Sequence, residues 1–294
     1  MIDLVRPWHY AFFVHGIIAA TLVGGLCGLI GAYVVLRHMS YIGHGLSHAI
    51  FGGAVVSYLL QWNFYIGAGL YGFLAALLIN ATARKRQIGA DAAIGVITTA
   101  SFAFGVALIS RVRHFTTNFE AALFGNILGV TTTDLWVIAG VSALTVIALF
   151  FSYKQMLFTT FDPEVAPTYG VPTQKMETLF ALILASALIA SMQVMGVTLI
   201  AAALVIPAVI GRLLTDRFSK LLLLTTTIGA LCGLTGMYTS FYIDVASGAT
   251  IVLTAAAVFA VVITITLVQQ RRHGLKAGLG KQAVLVQSND SHLF

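Results

Sequence analysis

The run AFFVHGIIAATLVGGLCGLIGAYVVL, residues 11–36, holds no aspartate, glutamate, lysine or arginine and is long enough to cross a bilayer as a helix. It is too long for the apolar core of a cleaved signal peptide and carries no convincing small-residue cleavage site, so it reads as an uncleaved first span. Windows of the same character recur at residues 44–60, 64–83, 92–110, 135–153, 178–193, 196–211, 221–240 and 247–268. The expectation is an all-α polytopic membrane protein with about nine (eight to ten) transmembrane helices. The division around Met195 is the hardest to place, because the uncharged run 178–211 is too long for one helix and short for two.

Composition leads to the same class. With 59% hydrophobic and 9% charged residues among 294, and a mean hydropathy of +0.95, a water-soluble surface is excluded. The 16 basic and 10 acidic residues give a net charge of +6. The basic ones gather in short loops, at Arg84, Lys85 and Arg86, at Arg212, Arg217 and Lys220, and at Arg271, Arg272, Lys276 and Lys281. They mark the cytoplasmic side of the membrane rather than a nucleic-acid surface, and put the amino terminus and residues 111–134 outside. Residues 1–270 then form one transmembrane domain. Residues 271–294, glycine-rich and ending in polar residues, bury too little surface to order themselves and are expected to be a mobile cytoplasmic tail. Cys27 and Cys232 lie in apolar runs without neighbouring cysteines and are expected to be buried free thiols.

Within this uncharged background, residues 37–53 (RHMSYIGHGLSHAIFGG) place His44 and His48 four apart. On a helix both imidazoles share one face, and ionisable groups at membrane depth usually serve a cavity or a transport path. A packing role, each ring bonded to a neighbouring carbonyl, is the simpler alternative. Flanking glycines favour a metal-ligand role, and imidazole suits zinc, copper, iron and nickel better than manganese. Two ligands make a weak site, but a second copy of the chain about a twofold axis would bring four imidazoles together. Gly45 follows His44 where a zinc protease needs glutamate, which argues against peptide hydrolysis.

Other polar positions are less distinctive. Asp91 and Asp244 resemble carboxylates at helix entrances that satisfy free amide groups, with metal binding a lesser alternative. His114, Asn118 and Glu120 fall in the expected outer loop, where they either guide a cation or form a solvated face. Met192 and Met195 are expected to pack. Residues 161–172, with acidic residues beside prolines, form a cytoplasmic stretch that is either a short amphipathic element docking a partner or an ordinary connector. No Gly-x-x-x-x-Gly-Lys-Ser/Thr run occurs, so the chain is not expected to be an enzyme that hydrolyses nucleotide, and any ATP drive would come from another subunit.

Several strings taken together resemble the permease subunits of ABC importers for manganese, zinc and iron(II). They are Val35–Gly43 leading into Ser47-His48-Ala49, Asp91–Gly95, Leu123–Leu128, Val194–Val197, Ala203–Ala208, Ser240–Asp244 and Ser247–Ala249. The resemblance covers nearly the whole chain except its two ends. It implies a multi-pass protein of a bacterial plasma membrane, with its carboxy terminus in the cytoplasm. It further implies a homodimeric or pseudo-dimeric permease, cytoplasmic ABC ATPase subunits and an extracellular metal-binding protein that delivers the ion. Nothing is expected to bind tightly as a cofactor, since the metal is cargo and ATP is used by the partner. By the same analogy the segment from Phe161 to Gly170, with Asp162, Pro163, Glu164 and Ala166, is the ATPase-coupling segment.

His48 matches the family histidine that lines the metal path, whereas an aspartate usually stands where His44 stands. That exchange of oxygen for nitrogen makes zinc or iron(II) at least as plausible a cargo as manganese. Family members also commonly have Pro-Gly at Gly52-Gly53 and an aspartate near Asn118. Because imidazole ligates metal only when neutral, transport is expected to weaken in acid. A proton-coupled secondary transporter is the main rival, but it would need carboxylates within the spans, and those here sit at span ends.

Overall fold

A computed structural model describes the backbone of residues 6–83, 90–111 and 123–290, and side chains at 6–83, 92–110 and 123–270. Among the described residues the fold is all-helical. The helices are α1 (Ala11–Leu36), α2 (Ser40–Leu59), α3 (Phe64–Ala83), α4 (Ala90–Arg111), α5 (Thr132–Phe151), α6 (Tyr153–Phe161), α7 (Thr173–Leu214), α8 (Phe218–Ile243) and α9 (Ser247–Asp290). Seven are long and apolar enough to cross a membrane: α1, α3, α4, α5, α7, α8 and α9 through Gln270. α2 has the length but is diluted by its serines, glycines and two histidines. The chain is thus a multi-pass membrane protein, and large apolar side chains such as Trp136 and Phe150 are exposed on the outside of α5. The tail beyond Gln270 is helical in backbone to Asp290.

α7 is two helices in one. Gly196 takes φ 74° and ψ 167°, outside helical space. In a straight helix Phe180 and Leu204 would stand about 36 Å apart. Yet Phe180 packs on Tyr33 with ring centroids 6.2 Å apart, and Leu204 lies against Gly31, on the same end of α1. The chain therefore doubles back at Gly196, without any loop. The segment 123–126 is bonded to both arms of the reversal: Asn126 N–H donates to the Gln193 carbonyl, left free there, at 3.0 Å, and the Thr198 hydroxyl donates to the Leu123 carbonyl at 2.7 Å. Irregular backbone at membrane depth is stable only with such internal partners.

α1 lies at the centre, packed on α8 and α7, and its Phe13, Ile30 and Tyr33 are completely buried. Its contact with α8 depends on small residues at four-residue spacing. A Cβ on Gly24 would stand 2.2 Å from the Gly229 carbonyl oxygen, one on Gly28 2.1 Å from that of Thr225, and one on Gly233 2.2 Å from that of Ala20. Backbones this close gain dispersion along their whole length, which is how helices associate where lipid removes the hydrophobic drive. Gly229→Ala is therefore expected to destabilise by about 1–3 kcal/mol through overpacking. At Gly140, where an added Cβ meets nothing within 4 Å, the same change is expected to leave the melting temperature in detergent unchanged or slightly raised. Equal melting of the two variants would refute the close helix contact.

Asp244 departs from the sequence expectation. It does not open α9 but closes α8 in a left-handed conformation (φ 57°, ψ 49°). The junction is held instead by Ser240, whose hydroxyl bonds the Val245 carbonyl at 2.7 Å and the Ser247 hydroxyl at 2.9 Å.

Candidate metal-binding site

α1 and α2 are joined by a turn of three residues, Arg37 to Met39, with His38 in the left-handed region (φ 56°). This sets α2 among α3, α4 and α7. Gly45 allows α4 to approach, since a Cβ there would meet Ile94 Cγ2 at 2.7 Å and Thr98 Cγ2 at 2.9 Å. The opposite flank is pinned by Ser47, whose hydroxyl reaches the His44 carbonyl at 2.8 Å and the Val197 carbonyl at 3.1 Å. The site helix is thereby tied to the backbone just past the Gly196 reversal.

His44 and His48 stand together as their spacing predicts, edge to face with ring centroids 4.6 Å apart. Behind them His48 meets Phe102 of α4 edge to face at 4.8 Å. The rings open onto a cavity of about 450 Å3 shared with Tyr41, Gly95, Thr98 and Thr99. His44 is exposed on this open side and His48 half-buried. The Nδ1 of His48 is shut off from solvent and has no hydrogen-bond partner among the described residues. An imidazole nitrogen left so is costly, and it is the other ring nitrogen that is left to face the cavity. No group of three or more His, Cys, Asp or Glu side chains that could hold a metal occurs among the described residues. What the chain presents here is two imidazoles side by side on one helix face.

The other expected positions lie apart from this pair or outside the described residues. His114, Asn118 and Glu120 fall outside them, as does the side chain of Asp91, which belongs to the first turn of α4. The segment from Phe161 to Gly170 is not one amphipathic helix. Phe161 ends α6, Asp162 accepts from the Val165 N–H at 3.2 Å, and a 3-10 turn, Ala166–Tyr169, closes on Gly170 in the left-handed conformation (φ 76°). Of its residues only Ala166 is buried, while Phe161, Val165 and Tyr169 are exposed. Thr98, Thr99 and Phe102 had no distinguishing signal in the sequence, because they matter only through the pairing of α4 with α2.

The fold and site define an all-helical, multi-pass membrane protein with a paired-imidazole cavity on its second helix. The chain belongs to the ABC 3 transport family, whose model matches residues 9–266. It is 38% identical to the manganese transport system membrane protein MntC of Halalkalibacterium halodurans, over 85% of this chain and 86% of that protein. It is 32% identical to the chelated iron transport system membrane protein YfeC of Yersinia pestis, over 87% of each. Among solved structures, PsaBC from Streptococcus pneumoniae in complex with Fab superposes with a TM-score of 0.79 at 34% identity, covering 89% of this chain and 93% of that one.

Proposed function

We propose that this chain is the membrane permease of an ATP-driven importer for divalent transition metal ions, zinc, manganese or iron(II). The observation that carries the reading is the His44/His48 pair, side by side on one helix face and open to a cavity, in a relative of manganese and chelated-iron transport proteins. Two copies meet with their α2 and α4 faces inward, so that four imidazoles surround the ion. An extracellular binding protein delivers the metal past the outer loop with His114, Asn118 and Glu120, and Asp91, at the cytoplasmic start of α4, lies on the exit side of the path. Separate ATPase subunits dock on Phe161–Gly170, and their closure reorients the helices. With α2 added to the seven apolar helices and α7 counted as two, nine segments cross the membrane, residues 1–270 form the permease domain, and the 271–294 tail is cytoplasmic. Imidazoles without a carboxylate hold an ion well enough to replace its waters and loosely enough to release it.

The test is uptake of radioactive zinc, manganese and iron(II) into proteoliposomes holding this chain with its ATPase and binding protein. ATP-dependent accumulation of at least one ion is expected. Accumulation driven by a proton gradient without ATP, or no accumulation of any of the three, would overturn the reading.

A further inference from the structure

Arg37 caps α1, seven residues before His44, and its guanidinium reaches α6. Its Nε donates to the Thr160 hydroxyl at 3.1 Å, and its Nη2 donates to the Thr159 hydroxyl at 3.2 Å and approaches the Met156 sulfur at 3.6 Å. Both hydroxyls pass the contact on to the Met156 carbonyl, at 3.2 Å and 2.6 Å. The cation also lies 4.4 Å from the ring centroid of Phe180 at the start of α7. Burial lowers its pKa to about 10, with Glu177 and Tyr33 acting the other way, so it stays charged at neutral pH.

The place of this contact gives it a use. Thr160 immediately precedes Phe161, where the exposed Phe161–Gly170 segment begins. On the other side, the turn from Arg37 into α2 is stiff. Arg37, His38 and Met39 N–H groups donate to the Tyr33, Val35 and Val34 carbonyls at 3.0, 3.1 and 3.0 Å, and Ile42 N–H donates to the Met39 carbonyl at 2.9 Å. A cavity of about 330 Å3 lies between the two, with Ile42 and Leu46 of α2 on one side and Thr159, Thr160 and Pro163 on the other. Arg37 lines this cavity too, and its guanidinium carries the hydrogen bonds from the α1–α2 turn to α6.

Resting on the transport reading above, we infer that Arg37 is the positioning residue through which displacement of the Phe161–Gly170 segment reaches the His44/His48 helix. It touches neither the ion nor the docking face. Its planar fork holds two successive hydroxyls at fixed geometry, which a lysine cannot do.

The experiment measures ions moved per ATP hydrolysed in proteoliposomes of the whole complex. Arg37→Gln is expected to lower this ratio about tenfold, the usual scale of a coupling between sites, with the ATPase still copurifying and the half-saturating metal concentration unchanged. Arg37→Lys is expected to restore the ratio only in part. Thr159→Val with Thr160→Val, which removes two hydroxyls and little else, is expected to give the same defect, and adding Arg37→Gln to it no more. A wild-type ratio in Arg37→Gln, loss of the ATPase from that variant, or additive defects would each overturn the role. If wild type itself shows no ATP-dependent uptake, the transport reading fails and the role of Arg37 with it. Wild-type uptake alongside coupled variants removes Arg37 alone.

Discussion

His48→Gln is expected to lower ATP-dependent metal uptake by about a hundredfold or more, above the loss typical of groups that merely support metal ligands. Glutamine keeps polarity and much of the volume against Phe102, so the α2–α4 contact survives and the missing group is the imidazole nitrogen. His44→Ala is expected to be damaging too, but less so, because His44 stands on the open side and its place can be taken by water. The informative partner variant is His44→Asp, which puts an oxygen donor in place of the imidazole. A hard oxygen favours manganese, while two borderline nitrogens favour zinc. Uptake is therefore expected to persist in His44→Asp with the manganese-to-zinc ratio raised. Unchanged transport in His48→Gln would reduce the pair to packing residues.

The histidine pair was legible because its reason is local: four-residue spacing on an apolar helix fixes a common face whatever the helix packs against. The wall opposite was not. Thr98, Thr99 and Phe102 look like any residues of a membrane helix until α4 is laid on Gly45. The same limit applies to α1 and α8. Gly24 and Gly28, Gly229 and Gly233 show their spacing in the sequence, but nothing local says that the two pairs meet. Residues 178–211 were divisible at Met195-Gly196 on length alone. That the division is a reversal at one residue depends on φ at Gly196 and on a distant loop that supplies its hydrogen bonds. Arg37 was visible only as part of a recognisable string, since its two threonine partners lie more than a hundred positions later, at 159 and 160.

Gly196→Ala is expected to be the most destructive single-methyl change in the molecule. With φ at 74° and ψ at 167°, residue 196 occupies a region that is nearly glycine's alone, and a side chain there costs about 1–3 kcal/mol in backbone strain. The added Cβ would stand 2.4 Å from both Gly125 N and the Leu123 carbonyl oxygen. Both are backbone atoms that cannot rotate away, so overpacking adds about 1–3 kcal/mol more. The conflict is relieved only if the 123–129 segment withdraws, which gives up the Asn126 and Thr198 hydrogen bonds that hold it against the reversal. At about 2–4 °C per kcal/mol for a domain of this size, the melting temperature in detergent is expected to fall by about 10 °C. Thr198→Val, which removes one of those bonds without a clash, is expected to cost only about 1 kcal/mol. Because the Ser47 hydroxyl ties α2 to Val197, the fraction of Gly196→Ala that still folds is also expected to transport poorly, its histidines having lost their backing. A Gly196→Ala protein that melts and transports like wild type would mean that the reversal is not built on this residue, and that the link from the broken helix to the metal site runs elsewhere.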